Sequence, residues 1–97
     1  MATVNLWEYD GIWVVPGVAW HVWYSWPETL QTVQPVFRAY PWGRGSGSGT
    51  GGQAFKIVDE WYEKLREGNI NYHVIVENTG ELSGEFIPML SWILNPI

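Results

Sequence analysis

The sequence predicts an all-β protein, a single antiparallel β-sandwich of five to seven short strands that takes in residues 1–97 as one domain and carries a long Gly-rich loop. Three observations lead there. Runs of β-branched and aromatic residues recur between Gly, Pro and Asn turn signals. Two of those runs, Val18 to Trp26 and Ile70 to Glu77, alternate with the period of a strand. Only residues 53–67 carry a competing helical pattern, which would make the fold α+β.

Residues 2–9 alternate loosely and end at the turn signal Asp10-Gly11. Ile12-Trp13-Val14-Val15 is a short apolar run stopped by Pro16-Gly17. The stretch from Val18 to Trp26, closed by Pro27, is the clearest strand. Val18, Trp20, Val22, Tyr24 and Trp26 share one of its faces, and Ala19, His21, Trp23 and Ser25 the other. Pro27 to Gln34 reads as loop or irregular edge, and Val36 to Tyr40 as another short strand before Pro41-Trp42.

Gly43 to Gly52 has the composition of a flexible coil, and its Gly-Ser alternation resembles a linker placed by an engineer. It contains Gly47-x-Gly49-x-x-Gly52, formally a dinucleotide fingerprint. In a run that is mostly Gly such a match carries no weight, because a working one sits in a βαβ unit.

Phe55, Val58, Trp61, Tyr62 and Leu65 fall at helical spacing, with Lys64 and Arg66 late and Gly68 placed to end a helix. A strand is the preferred reading, because the context is all-β and the next run is a strong return strand. As a regular strand, Phe55, Ile57, Asp59 and Trp61 would face one way and Lys56, Val58, Glu60 and Tyr62 the other. Arg66 to Asn69 then makes a hairpin turn, and Ile70, Tyr72, Val74 and Val76 alternate with Asn71, His73, Ile75 and Glu77. Asn78-Thr79-Gly80 is a turn. Glu85 to Leu94 is a last strand whose Pro88 predicts an edge or a bulge.

The segment Tyr72-His73-Val74-Ile75-Val76-Glu77-Asn78-Thr79-Gly80, followed by Phe86, resembles the strand-turn-strand signature of bacterial immunoglobulin-like sandwiches. Those domains end one strand in Val-x-Asn-x-Gly and open the next with an apolar residue. The resemblance covers residues 72–86 of the chain. It implies that Val74 and Val76 face the core and that Asn78 and Gly80 make the turn. It also implies an adhesive, scaffold or ligand-binding role without catalytic residues. The Trp-rich first half departs from the pattern.

Composition excludes several classes of function. Five scattered basic residues against ten acidic ones, a formal charge of −5, argue against a phosphate-backbone partner, so no nucleic acid is expected. The absence of Cys excludes disulfides, Cys-based zinc sites and a thiol nucleophile. No apolar run approaches the roughly 18 residues of a membrane span. The first residues lack the features of a signal peptide, so a cytoplasmic or leaderless chain is the default expectation.

His21 and His73 each stand alone in a strand, outside any metal-ligand spacing, and read as hydrogen-bonded or solvent-facing. No Gly-x-Ser-x-Gly elbow is present. Asp59, Glu60, Glu63 and Glu67, mixed with Lys56, Lys64 and Arg66, read as a salt-bridged, solvated face. The expectation is a non-enzyme without metal or cofactor.

The positive signal is tryptophan, 8 residues in 97. Each indole can bury on the order of 150–250 Å² and each needs a partner for its N–H. So small a domain cannot cover them all, and two to four are expected at a surface, groove or subunit interface. The candidate ligand-binding residues are Trp13, Trp20, His21, Trp23, Trp26 and Trp42. Flat indoles beside polar side chains suit a sugar ring, so the first expectation is lectin-like carbohydrate binding. Trp and Tyr are equally typical of protein interfaces. The alternative is therefore a self-assembling homo-oligomer built through Trp-rich strand faces or edges, or an engineered β scaffold.

Overall fold

A computed structural model describes residues 3–8, 10–29, 31–48 and 50–96. Met1, Ala2, Tyr9, Leu30, Gly49 and Ile97, which fall within the segments read from the sequence, lie outside the described residues.

Seven strands are present: β1 (Thr3–Glu8), β2 (Ile12–Val14), β3 (Ala19–Pro27), β4 (Gln31–Ser46), β5 (Phe55–Lys64), β6 (Asn69–Asn78) and β7 (Ser83–Pro96). No described residue is helical, and all pairing is antiparallel. No described helix is long and apolar enough to cross a membrane. The strands form two sheets. In the first, β7 is central, with β4 on one side and β1 and β2 sharing the other. In the second, β6 is central between β3 and β5.

Residues 55–64 are a strand for the reason the return strand suggests. Tyr72, Val74 and Val76 of β6 are 0–3% exposed, and a central strand needs partners on both edges. The hairpin closes through Leu65–Gly68, where Gly68 has φ 97° and its N–H donates to the Leu65 carbonyl at 3.0 Å.

The core lies between the sheets. Val22, Tyr24, Tyr72, Val74 and Val76 from the second sheet meet Val14, Phe37, Phe86 and Leu90 from the first. Aromatic pairs bridge the layers, with Tyr24 to Phe37 at 6.2 Å and Phe55 to Phe86 at 5.3 Å between ring centroids. At the corner where the chain passes from β6 to β7, Asn78 is fully buried. Its Nδ2 donates to the carbonyls of Val14 and Leu82, each at 2.9 Å, and its Oδ1 accepts from the Gly80 N–H at 2.9 Å. Gly80 must be glycine, since a Cβ there would collide with the Gly52 carbonyl oxygen.

Three expectations are corrected. First, Pro88 lies in the central strand of its sheet, at neither an edge nor a bulge. On one side it pairs with Ala39. On the other, β1 pairs with residues 89–94 and β2 with 84–86, so Ile87 and Pro88 face the gap between them. A missing N–H there removes no ladder bond on that side. Second, β4 runs through Pro35, Pro41 and Gly43 to Ser46, far beyond Val36–Tyr40, so part of the Gly-rich segment is strand. As an edge strand β4 tolerates prolines, because one side of its backbone needs no partner.

The third correction concerns β5. Ile57 pairs with Val76 and Asp59 with Ile75, leaving Val58 as a bulge. Beyond it the faces exchange. Glu60 and Tyr62 lie on the face of Phe55 and Ile57, opposite Val74 and Tyr72, while Asp59 and Trp61 turn outward.

Candidate functional site

The alternation of β3 buries Val22 and Tyr24 and turns His21, Trp23 and Ser25 outward. On β6 the same alternation turns out Asn71, His73 and Ile75. Register then decides which of these meet. Trp23 is opposite His73 and His21 opposite Ile75, so the two histidines are diagonal neighbours. On the far side of β6, the bulge at Val58 places Trp61 opposite His73.

The result is an aromatic row across the outer face of the second sheet. The Trp61 indole stacks on His73 with centroids 4.8 Å apart and planes 9° off parallel. His21 lies 5.0 Å from His73 and 5.2 Å from Trp23, centroid to centroid. A hydrogen-bond chain runs through the same side chains. Glu63 Oε1 is 2.9 Å from His73 Nε2, and His73 Nδ1 is 2.9 Å from His21 Nε2. Asn71 Nδ2 donates to the same carboxylate oxygen at 3.5 Å. The His73 side chain is only 12% exposed, whereas Glu63 is half exposed.

With both rings neutral, the chain has one direction. His73 donates from Nε2–H to the carboxylate, its Nδ1 accepts from His21 Nε2–H, and His21 Nδ1 remains an acceptor. The carboxylate and the His73 imidazole thereby fix the ring of His21. No hydroxyl of the described residues is bonded to His21, and no described group of three His, Asp or Glu side chains is placed to hold a metal ion.

Beside this row, an open groove of about 360 Å³ runs along the β3 side of the sandwich. It is lined by Trp20, His21, Val22 and Trp23 of β3 and by Asp10, Gly11, Ile12 and Pro88. Trp20 and Trp23 are 47% and 58% exposed, and Asp10 is exposed. The chain matches no protein-family model, no curated protein and no solved structure. What the groove can hold is therefore read from its own side chains.

Of the six residues expected to bind a ligand, the fold brings together Trp20, His21 and Trp23. Trp26, half-buried, stands at the other end of β3, edge-on to Tyr62 at 6.5 Å. There it borders an apolar cleft of about 260 Å³ shared with Val33, Pro35, Leu90 and Trp92. Trp13 and Trp42 lie on the outer face of the first sheet, one on each side of Glu85. Five indoles among the described residues are exposed, those of Trp13, Trp20, Trp23, Trp42 and Trp61, against the two to four expected.

Trp61, His73 and Glu63 were not among the residues expected to form a site. Trp61 was hidden by the bulge, which reverses the face a regular strand would give it. His73 was legible as outward-facing from the alternation of β6, and only the register revealed its partner. The charged cluster of β5 is not internally paired as expected. Lys64 reaches Glu28 at 2.9 Å, Glu63 takes His73, and Glu60 Oε2 accepts the Tyr72 hydroxyl at 2.6 Å. Burial first, and then that bond to the Glu60 carboxylate, push the Tyr72 hydroxyl well above its ordinary range.

Proposed function

We propose that the chain is a non-catalytic binding module whose ligand is a carbohydrate held in the groove along β3. One observation carries the reading. The Trp23 indole, more than half exposed, stands at the groove beside an imidazole whose orientation is already fixed by His73 and Glu63.

A sugar ring has an apolar C–H face and an equatorial fringe of hydroxyls. The C–H face packs on an indole, and the hydroxyls need directional donors and acceptors. Trp20 and Trp23 offer two such surfaces. Asp10 offers a carboxylate acceptor across the groove, and His21 Nδ1 offers an acceptor held in place by the relay behind it. Rings fixed before binding lose little freedom on binding, which favours affinity from few contacts.

The test is titration of intrinsic tryptophan emission with a panel of monosaccharides and oligosaccharides. A saturable change with one sugar class, lost in Trp23→Ala and retained in Trp42→Ala, supports the reading. A flat response across the panel overturns it.

A further inference from the structure

The outer face of the first sheet is dressed for contact. Sandwich sheets ordinarily turn polar side chains outward, giving apolar-in, polar-out alternation. Here Trp13, Tyr40 and Trp42 are each more than half exposed and Val36 is 41% exposed, with Ile87 and Met89 between them. At the usual size of aromatic side chains, the exposed surface of the first four is on the order of 400 Å². That reaches the largest apolar patch of an ordinary monomer and about half of one partner's share in a standard interface.

We propose that this face pairs with the same face of a second copy, giving a closed, two-fold dimer. The occupant is identified by charge. In the paired rows of this face, the described charged residues are Arg38 and Glu85. Neither is ion-paired to a described residue. Arg38 lies in the row of Met89 and Glu85 in the row of Trp42, four residues apart along β7, or about 13 Å. The row midway between them is Tyr40 and Ile87. A two-fold axis above that row, perpendicular to the strands, sets Arg38 of each copy over Trp42 and beside Glu85 of the other. Each copy then supplies a cation for the other's indole and carboxylate, twice over.

The rest of the molecule points the same way. The second sheet's outer face carries Asp59, Glu63 and Glu77 against Lys56, so it repels its own copy. Pairing through the first sheet keeps those acidic faces apart. Edge-to-edge growth is blocked as well. β4 carries Pro35 and Pro41, β3 ends in Pro27, β5 is bulged and charged, and the remaining edge is broken between β1 and β2. A face is what these edges leave available, and a self-complementary face closes at two copies.

The dimer is independent of sugar binding, since Trp13, Tyr40 and Trp42 are not in the β3 groove. Sedimentation velocity over a dilution series tests it, with circular dichroism to verify that each variant is folded. The full chain is expected to double its mass with rising concentration and go no further. Arg38→Glu and Glu85→Arg should each weaken pairing by about tenfold or more, by placing like charges together. The double variant should restore pairing, and an equimolar mixture of the two single variants should form the heterodimer. A chain that stays monomeric at high micromolar concentration overturns the proposal. So does a mass that grows past two copies, or a dimer that the two charge reversals leave unchanged.

Discussion

His21 and His73, 52 positions apart in the chain, share a hydrogen bond of 2.9 Å across two neighbouring strands. The bond makes the orientation of one imidazole depend on the other, and the Glu63 carboxylate anchors the pair. Heteronuclear NMR of the ring nitrogens should therefore find both neutral rings as the Nε2–H tautomer. In Glu63→Ala the preference of His73 should fall toward that of a free imidazole. Equal tautomer ratios in the unmodified chain would contradict the direction of the relay.

The corner at Asn78 sets a second expectation. Replacing it with Ala leaves two carbonyls and one N–H without the bonds that Asn78 supplies, in a fully buried place. The expected loss is about 2–4 kcal/mol in denaturant unfolding. Asn78→Asp should be worse at neutral pH, because a carboxylate cannot donate to the carbonyls of Val14 and Leu82. It should recover partly in acid, where one oxygen regains a proton.

Alkaline pH should act through Tyr72. Its hydroxyl is held above the ordinary value near 10 by burial and by the Glu60 carboxylate. Below about pH 10 the hydroxyl is protonated in both folded and unfolded chains, so the full contribution is present. Above it the unfolded chain ionises first, and stability falls as the pH climbs toward the folded value. Urea unfolding followed from pH 8 to pH 11, values on either side of the ordinary one, should give a downward slope. Tyr72→Phe should reduce that slope at a cost of about 1 kcal/mol near neutrality. The part due to Tyr62 should remain, since burial and Glu60 also hold its hydroxyl above its ordinary value.

Removal of Val58 is expected to be tolerated. Ile57 and Asp59 already pair with the adjacent residues Val76 and Ile75, so its loss restores a regular ladder without exchanging faces. Trp61 should stay on His73, seen as an unchanged aromatic signal in near-ultraviolet circular dichroism. The cost should lie well below the roughly 3–5 kcal/mol of truncating a buried aromatic such as Phe86 to Ala. Loss of the Trp61 signal would mean that the bulge is required for the stack.

Much of this fold is legible in the amino-acid order because its two clearest strands are buried on one face only. Val22 and Tyr24 on β3, and Val74 and Val76 on β6, declare the core side by alternation, and everything between them must face out. Period-two reasoning fails where the period breaks. Nothing around Val58 announces an extra residue, and one extra residue reassigns Glu60, Trp61 and Tyr62. Pro88 fails differently. Local chemistry bars proline from a ladder, and only the long-range arrangement of β1 and β2 reveals a place with no ladder bond to lose. The site follows the same division. Outward-facing His21 and Trp23 can be found by counting, whereas their meeting with His73 and Trp61 depends on register between distant segments.

The gap opposite Ile87 and Pro88 also divides the first sheet in a way that bears on how it breathes. β1 and β2 grip separate stretches of β7, with no described pairing to pass strain from one to the other. Residues 3–8 and residues 12–14 therefore hold β7 through separate ladders, and the second of these lies at the corner that Asn78 ties closed. Amide hydrogen exchange should record that independence as protection along β1 that changes separately from protection at Val14 when either ladder is perturbed.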